Sequence, residues 1–152
     1  MRAQATISLV LTGCAYQAGS FDSMLRPFSG ERATFGCLDL AVERRPDLAG
    51  DAAVIAYSFG NRCDHPTVVD LASVAVVAHA SDGEQHQLAP YDPRHEIESM
   101  LIDGRAVGSE AIAYHGDITS DAICVDAGSV VHSTIARWMC FPGSRPQVTE
   151  AP

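Results

Sequence analysis

Hydrophobic and polar residues alternate along much of the chain, in short segments that end at Gly, Pro, Asn or Asp. The segment FGCLDLAVE (35–43) places its large aliphatic residues on one face of an extended strand, and AAVIAYSF (52–59) does the same. A period of two predicts β-strands with one buried face. Similar patterns predict further strands from Thr67 through the Val-rich stretch to residue 80, and at 84–88, 110–114, 122–125 and 134–141.

Turn-forming residues separate these segments at short intervals. The dipeptides Asp82-Gly83 and Asp103-Gly104 are typical of tight turns, and residues 44–51 and 60–66 contain Pro, Gly or Asn. Residues 97–102 fit either a strand or a single helical turn. Seven or more short strands predict an all-β domain, an antiparallel β-sandwich of immunoglobulin-like type, with a small partly open β-barrel as the alternative.

The first fourteen residues have the layout of an export signal. A charged Met1-Arg2 start precedes an apolar run and then the tetrad Leu11-Thr12-Gly13-Cys14. This tetrad resembles the lipobox of bacterial lipoproteins. The resemblance implies removal of residues 1–13 and lipidation of Cys14, and the Ala that follows implies an outer-membrane destination. Multiple acyl chains would anchor the protein stably. The alternative is a first β-strand, ATISLVL, with a chance cysteine after Gly13.

The expected organisation follows from these two patterns. Residues 1–13 form a signal peptide, residues 14–34 a flexible tether after the lipidated Cys14, and residues 35–142 the β-sandwich. The tail at 143–152 is rich in Pro and is expected to be disordered. The stretch YSFGNRCDHPTVVDLASVAV (57–76) is similar to stretches in bacterial immunoglobulin-like accessory domains. That likeness implies an architecture alone, because such folds have many functions.

Charge and composition exclude several classes of function. The 152-residue chain has a net charge of −9, with ten basic residues that are all Arg. An acidic surface repels phosphate backbones, so nucleic-acid binding is not expected. No apolar run reaches the roughly 18 to 20 residues of a membrane-spanning helix.

Five cysteines become an even set if Cys14 carries lipid. The remaining four suit disulfides in an exported chain. The strand pattern favours Cys37–Cys63 and Cys124–Cys140, because each pair would flank one antiparallel hairpin. The first pair requires a β-bulge at Gly60-Asn61 to keep the apolar faces of its two strands matched.

Candidate chemistry is sparse. Asp92, His95 and Glu96 cluster on the loop at residues 90–96 and are the weak candidates for a metal site, although Asp92 as a turn cap is the preferred interpretation. His79 and His86 flank the turn at 81–83 and could face each other across a hairpin. No catalytic motif, metal-binding motif or cofactor signature is present, so we expect no catalytic residues, no cofactor and no enzyme activity.

Two functions remain. The first is a lipid-anchored, non-catalytic β-sandwich at the bacterial outer membrane, facing the periplasm or the cell surface, that binds a protein partner or stabilises a surface assembly. The alternative is a periplasmic carrier or sensor that binds a cation or small ligand through the loop at residues 90–96.

Overall fold

The strands of this protein are short and close to one another in sequence. A computed structural model describes residues 30–45, 52–94, 97, 99–116 and 120–143. Ten strands lie in these ranges: β1 (Glu31–Phe35), β2 (Leu38–Arg44), β3 (Ala53–Asn61), β4 (Thr67–Asp70), β5 (Val76–His79), β6 (Gln85–Pro90), β7 (Ser99–Ile102), β8 (Val107–His115), β9 (Ala122–Asp126) and β10 (Trp138–Pro142). A short 3₁₀-helix, Ser129–Val131, lies between the last two.

All strand pairs are antiparallel. One sheet has eight strands in the order β1-β2-β3-β8-β6-β5-β9-β10, and β4 and β7 form a separate pair. The eight-stranded sheet curves until it nearly closes, and an Arg44 Nη1 hydrogen bond to the carbonyl oxygen of Pro142 joins β2 to β10. The predicted all-β antiparallel class is therefore confirmed, and the near-closure combines features of the sandwich and the partly open barrel.

The core lies on the concave face of this sheet. Alternation along β3 buries Ile55, Tyr57 and Phe59 completely, and β8 contributes Tyr114 to the same interior. Other large side chains of the core are Leu38, Leu40, Val42, Val69, Leu71, Leu88 and Ile123. Close packing of these residues removes apolar surface from water, which is the main favourable term in folding.

One disulfide joins two turns and the other joins two neighbouring strands, and both join the pairs that the sequence predicts. Cys37 is bonded to Cys63, with Cα atoms 5.5 Å apart. Cys124 and Cys140 are directly opposite each other on β9 and β10, with Cα atoms 4.0 Å apart. The second bond fixes the outermost strand of the sheet to its neighbour.

The predicted β-bulge at Gly60-Asn61 is wrong. The ladder between β2 and β3 is continuous, with Gly60 opposite Asp39 and the apolar faces in step. The offset is instead accommodated beyond the strand, where the Arg62 N–H donates to the Cys37 carbonyl at 2.8 Å. Cys63 therefore lies one residue past the position opposite Cys37, in the turn, and reaches it without a distortion of β3.

The buried side chain of Asn61 organises the turn that follows β3. Its Nδ2 group donates to the carbonyls of His65, Ile102 and Asp103 at 2.9, 3.1 and 3.1 Å, and its Oδ1 accepts from the Cys63 N–H at 2.9 Å. Backbone groups in such a turn lack strand partners and need others when they are buried. One amide thus bonds two separate turns to the end of β3.

Several predicted boundaries are corrected by the structure. β1 begins at Glu31, so the predicted tether at 14–34 extends too far and the β-domain starts before residue 35. The Val-rich stretch forms two strands in different sheets, because Asp70 Oδ1 accepts the N–H groups of Ala72 and Ser73 and turns the chain. The ambiguous segment 97–102 contains β7, and the strand predicted at 134–141 starts only at Trp138.

The predicted leader, Cys14 and most of the predicted tether lie outside the described residues, as does the tail after Gly143. Gly143 itself donates its N–H to the Asp121 carbonyl at 2.8 Å. Within the described ranges, no helix has the length and apolar character that crossing a bilayer requires.

We expect Asn61→Ala to destabilise the protein by about 3 kcal/mol, because it removes the amide partner of the buried Ile102 carbonyl and of three part-buried backbone groups. The urea midpoint at constant m-value measures this change. The exposed Gln87→Ala variant is the control and should remain within about 0.5 kcal/mol of the parent. A similar midpoint for both variants would show that the turn does not depend on the amide.

Candidate functional site

Of the three candidate metal ligands on the loop at residues 90–96, the structure describes Asp92. Asp92 Oδ2 accepts the backbone N–H of Ile97 at 3.0 Å, which is the capping contact that the sequence favours for this side chain. His95 and Glu96 lie outside the described residues. The loop contact gives Asp92 a structural role at the place where the chain leaves β6.

The histidines do not converge where the structure describes them. His79 is opposite Gln85, whereas His86 is opposite Ala78, so the two histidines occupy opposite faces of the β5–β6 hairpin. The expectation that they face each other is therefore wrong, since the register is shifted by one residue. In the described part of the chain, no three His, Cys, Asp or Glu residues are grouped as a metal site would require.

A cleft of about 670 Å³ lies between the loop after β6 and strand β8. It exists because β6 separates from β8 after a short contact. Their ladder contains only two residue pairs, Ala89–His115 and Pro90–Tyr114, and it ends with the Tyr91 N–H bonded to the Ala113 carbonyl at 2.7 Å. Beyond this point the loop diverges and the cleft opens.

Divergence of β6 leaves one edge of β8 without a strand partner among the described residues. In an antiparallel ladder, the backbone groups of alternate residues point to opposite sides. The Ala113 carbonyl points toward β6, so Ser109 and Ala111 also direct their backbone groups to that side. Residues 107–111 are exposed or partly exposed on both faces, as expected for an open edge.

The walls of the cleft combine an apolar floor with a polar rim. Apolar side chains from four segments form the floor: Leu71, Ile97, Met100 and Ile112. At the rim, the Tyr91 ring lies 4.5 Å from the His115 ring, between centroids, and Tyr91 is 58% exposed. The cleft is concave, and the lining that the structure describes is about as polar as it is apolar.

Glu110 is the acidic group on the sheet side of the cleft. By alternation it shares the inward face of β8 with the buried Ile112 and Tyr114, yet it is exposed, because the cleft opens above it. Its carboxylate Oε1 accepts the Ala111 N–H at 3.3 Å. The other charged residues that line the cleft, among those that the structure describes, are Asp92 and Arg94.

Glu110 is not among the site residues that the sequence predicts, although its segment is correctly predicted as a strand. The alternation Glu110, Ile112, Tyr114 already placed a carboxylate in an otherwise apolar series. A charged residue in the inward register indicates either a partner or an opening in the core. Here it marks an opening, which depends on the divergence of β6 and so is not visible in the local pattern.

A buried tyrosine pair lies beneath this region. Tyr57 is directly opposite Glu110 on β3, and its hydroxyl is 2.8 Å from that of Tyr114. Burial raises the pKa of Tyr57 well above its usual range, and the proximity of Tyr114 raises it further. Burial also raises the pKa of Tyr114, to about 12, against a smaller opposing effect of the hydrogen bond from Tyr57. Both phenols therefore stay neutral in the folded protein at ordinary pH.

Ion pairs elsewhere support turns. Arg62 Nε contacts Asp39 Oδ2 at 3.0 Å, and Arg62 Nη2 donates to the Gly36 carbonyl at 2.9 Å, next to the Cys37 disulfide. Asp64 accepts from Arg105 Nε at 2.8 Å, and this hydrogen bond lowers the pKa of the Asp64 carboxyl. The Asp64–Arg105 pair is exposed to solvent, so it contributes little to stability.

No protein-family model matches the chain, and no curated protein matches it. Among solved structures, the crystal structure of the yjhA protein from Bacillus subtilis is similar, with a TM-score of 0.47 and 8% sequence identity. The match covers 72% of this chain and 94% of that chain.

The tyrosine pair predicts a specific loss of stability at high pH. The pKa of Tyr114 is about 12 in the folded protein, whereas phenols in unfolded chains have a pKa of about 10. Between these values the folded state retains a proton that the unfolded state loses. The contribution of the pair is complete below about pH 10 and is lost as the pH rises toward about 12. Urea midpoints across this range should fall more steeply for the parent than for Tyr57→Phe/Tyr114→Phe.

Tyr91→Phe is the matched control, since this ring is largely exposed. Its pH profile should follow that of the parent. Parallel profiles for the parent and the double variant would contradict the assignment of the alkaline transition to the buried pair.

Proposed function

We propose that this protein is a lipid-anchored, non-catalytic domain of the bacterial outer membrane, facing the periplasm or the cell surface, that binds a protein partner through the cleft beside β8. The observation that carries the proposal is the open edge of β8, which borders a cleft of about 670 Å³ with an apolar floor. Unpaired strand edges are templates for pairing with another chain, and proteins normally cover or blunt them.

Compartment and anchoring rest on the cysteines. Two disulfides support an oxidising compartment, because such bonds are rare in the cytosol. The tetrad Leu11-Thr12-Gly13-Cys14 supports lipidation at Cys14. An anchor of this kind suits a protein that acts by contact at a surface.

A binding role rather than catalysis is supported by the lining of the cleft. The described lining residues include Asp92, Arg94 and Glu110 but neither histidine nor cysteine. A nucleophile with an adjacent base is the usual signature of covalent catalysis. Asp92 is also bound to the loop backbone, which suits a residue that shapes a surface.

The alternative function, a carrier or sensor of a cation or small ligand, has one observation in its favour. The loop at residues 90–96 that it invokes contributes Tyr91, Asp92, Pro93 and Arg94 to the cleft. The volume of the cleft also suits a small molecule. Native mass spectrometry of the protein from its own envelope would show a bound small ligand in that case.

Lipidation is tested by mass spectrometry of the protein from its native host. We expect an acylated Cys14 at the amino terminus, because the lipobox directs cleavage before that residue. A Cys14→Ser variant should remain unacylated and serves as the control. Retention of Met1 on the mature parent protein would exclude the lipoprotein assignment.

Partner binding is tested by photo-cross-linking in the native envelope. A photoreactive amino acid in place of Ser109, on the β8 edge, should form an adduct with one discrete protein, because that edge is exposed. The same amino acid in place of Asp82, at the exposed tip of the β5–β6 hairpin, is the control. Absence of an adduct at position 109, or equal adducts at both positions, would contradict the proposal.

A further inference from the structure

We infer that the cleft receives an extended peptide segment of the partner, which adds a strand to the edge of β8 and places a basic side chain beside Glu110. This inference rests on the proposed function and specifies its mode. Three observations carry it: the direction of the β8 backbone groups, the composition of the cleft and the placement of Glu110.

The backbone of β8 is prepared for one more strand. Ser109 and Ala111 direct their N–H and C=O groups away from β3, by the alternation that the Tyr91 to Ala113 hydrogen bond establishes. In the described part of the chain, no strand pairs with β8 on that side before Tyr114. An added strand would lie about 4.8 Å from β8, where the cleft now opens.

The walls of the cleft fit the alternating side chains of a strand. An extended peptide directs successive side chains to opposite faces, so one set would face the apolar floor that includes Met100 and Ile97. Main-chain hydrogen bonds then provide affinity, and pockets for alternate side chains provide specificity. The exposed Tyr91 at the rim offers a flat aromatic surface to the same segment.

Charge selects a basic residue in the segment. Among the described residues that line the cleft, the charged ones are Glu110, Asp92 and Arg94, and the whole chain carries a net charge of −9. Within the described residues, the contact of the Glu110 carboxylate is the Ala111 N–H at 3.3 Å, near the limit for a hydrogen bond. A Lys or Arg side chain above β8 would give this carboxylate a cationic partner.

A metal ion fits the cleft less well than a peptide. Hard divalent cations take six or more oxygen ligands or a few closely placed carboxylates. The structure groups no three metal-ligating residues in the ranges that it describes. The apolar floor would contribute nothing to such an ion, whereas it matches the side chains of a peptide.

A substitution at Ala111 can remove a hydrogen-bond donor from the open edge of β8 without affecting the pairing of β8 with β3. The Ala111 N–H points into the cleft and not toward β3, so Ala111→Pro removes an edge donor and spares the β3–β8 ladder. Ala111→Thr keeps the backbone N–H donor, and Thr favours strands, so this variant is the matched control. Equal urea midpoints for the two variants would show that both remain folded.

The probe is a displayed library of short random peptides, selected on the full-length chain. We expect enrichment of peptides that carry Lys or Arg between apolar residues. Ala111→Pro should weaken their binding by about tenfold for each main-chain hydrogen bond lost. Ala111→Thr should change it by no more than about twofold. N-methylation of alternate peptide nitrogens tests the same bonds without any change to the protein.

The charge requirement is tested with Glu110→Gln. This variant should bind a selected Lys peptide more weakly, and it should not distinguish that peptide from its norleucine analogue. Loss of salt dependence should accompany the substitution, because the ion pair supplies that dependence. Enrichment of acidic peptides, no enrichment, or binders indifferent to Ala111→Pro and to N-methylation would overturn the inference.

The two proposals fail in different ways. If cross-linking at position 109 finds a partner but no peptide binds through the edge, strand addition is wrong and partner binding stands. If peptides bind through the edge but no envelope protein is cross-linked there, the partner function is wrong and the capacity of β8 for strand addition stands.

Discussion

The side-chain amide of Asn61 is the contact on which the geometry of the site depends. It ties the end of β3 to the carbonyl groups of Ile102 and Asp103, and so fixes where β7 ends and β8 begins. The Asn61 backbone N–H also donates to the Ala106 carbonyl at 2.9 Å. The amide thus bonds four backbone groups, of which the Ile102 carbonyl is buried and would otherwise need another partner.

From this point the architecture of the cleft follows. β7 passes over β8 at Gly108, where an added Cβ would lie 2.5 Å from Ile102 Cδ1 and 3.1 Å from Met100 Sδ. A side chain at this position would require the ends of both of these side chains to shift. At the next inward position of β8, Glu110 is exposed, and the cleft opens there. The cleft thus lies between β7, which contacts β8 at Gly108, and β6, which diverges from β8 after Pro90.

Local patterns in the sequence account for much of the fold. Alternation predicted β3, and the Asp82-Gly83 turn predicted the β5–β6 hairpin, where Gly83 has a φ of 90°. The disulfide pairs were also predictable, because the two cysteines of each pair flank one antiparallel hairpin. These features depend on residues close in the chain, and their physical causes act at short range. β1 escaped prediction because its residues, ERATF, alternate too weakly and are mostly exposed.

The site was less predictable because it arises from long-range pairing. The loop at residues 90–96 was recognised, but for its titratable residues rather than for the gap it creates. The size of that gap depends on the length of the ladder between β6 and β8. This ladder has two pairs, and their residues are distant in sequence. The stretch from Thr67 to residue 80 is divided by a local feature, the turn made by Asp70. Its two halves join different sheets because of long-range pairing, which a local pattern does not predict.

The position of the Cys37–Cys63 bond has a mechanical consequence. β1 is an edge strand that pairs with β2 alone, and it precedes Cys37 in the chain. A force applied from the N-terminal side would peel β1 from β2 one hydrogen bond at a time, which requires little work at each step. At Cys37 the force acts on the disulfide to Cys63, which lies just after the end of β3 at Asn61. Peeling would stop there, and the strands that form the cleft would stay in register while the edge yields.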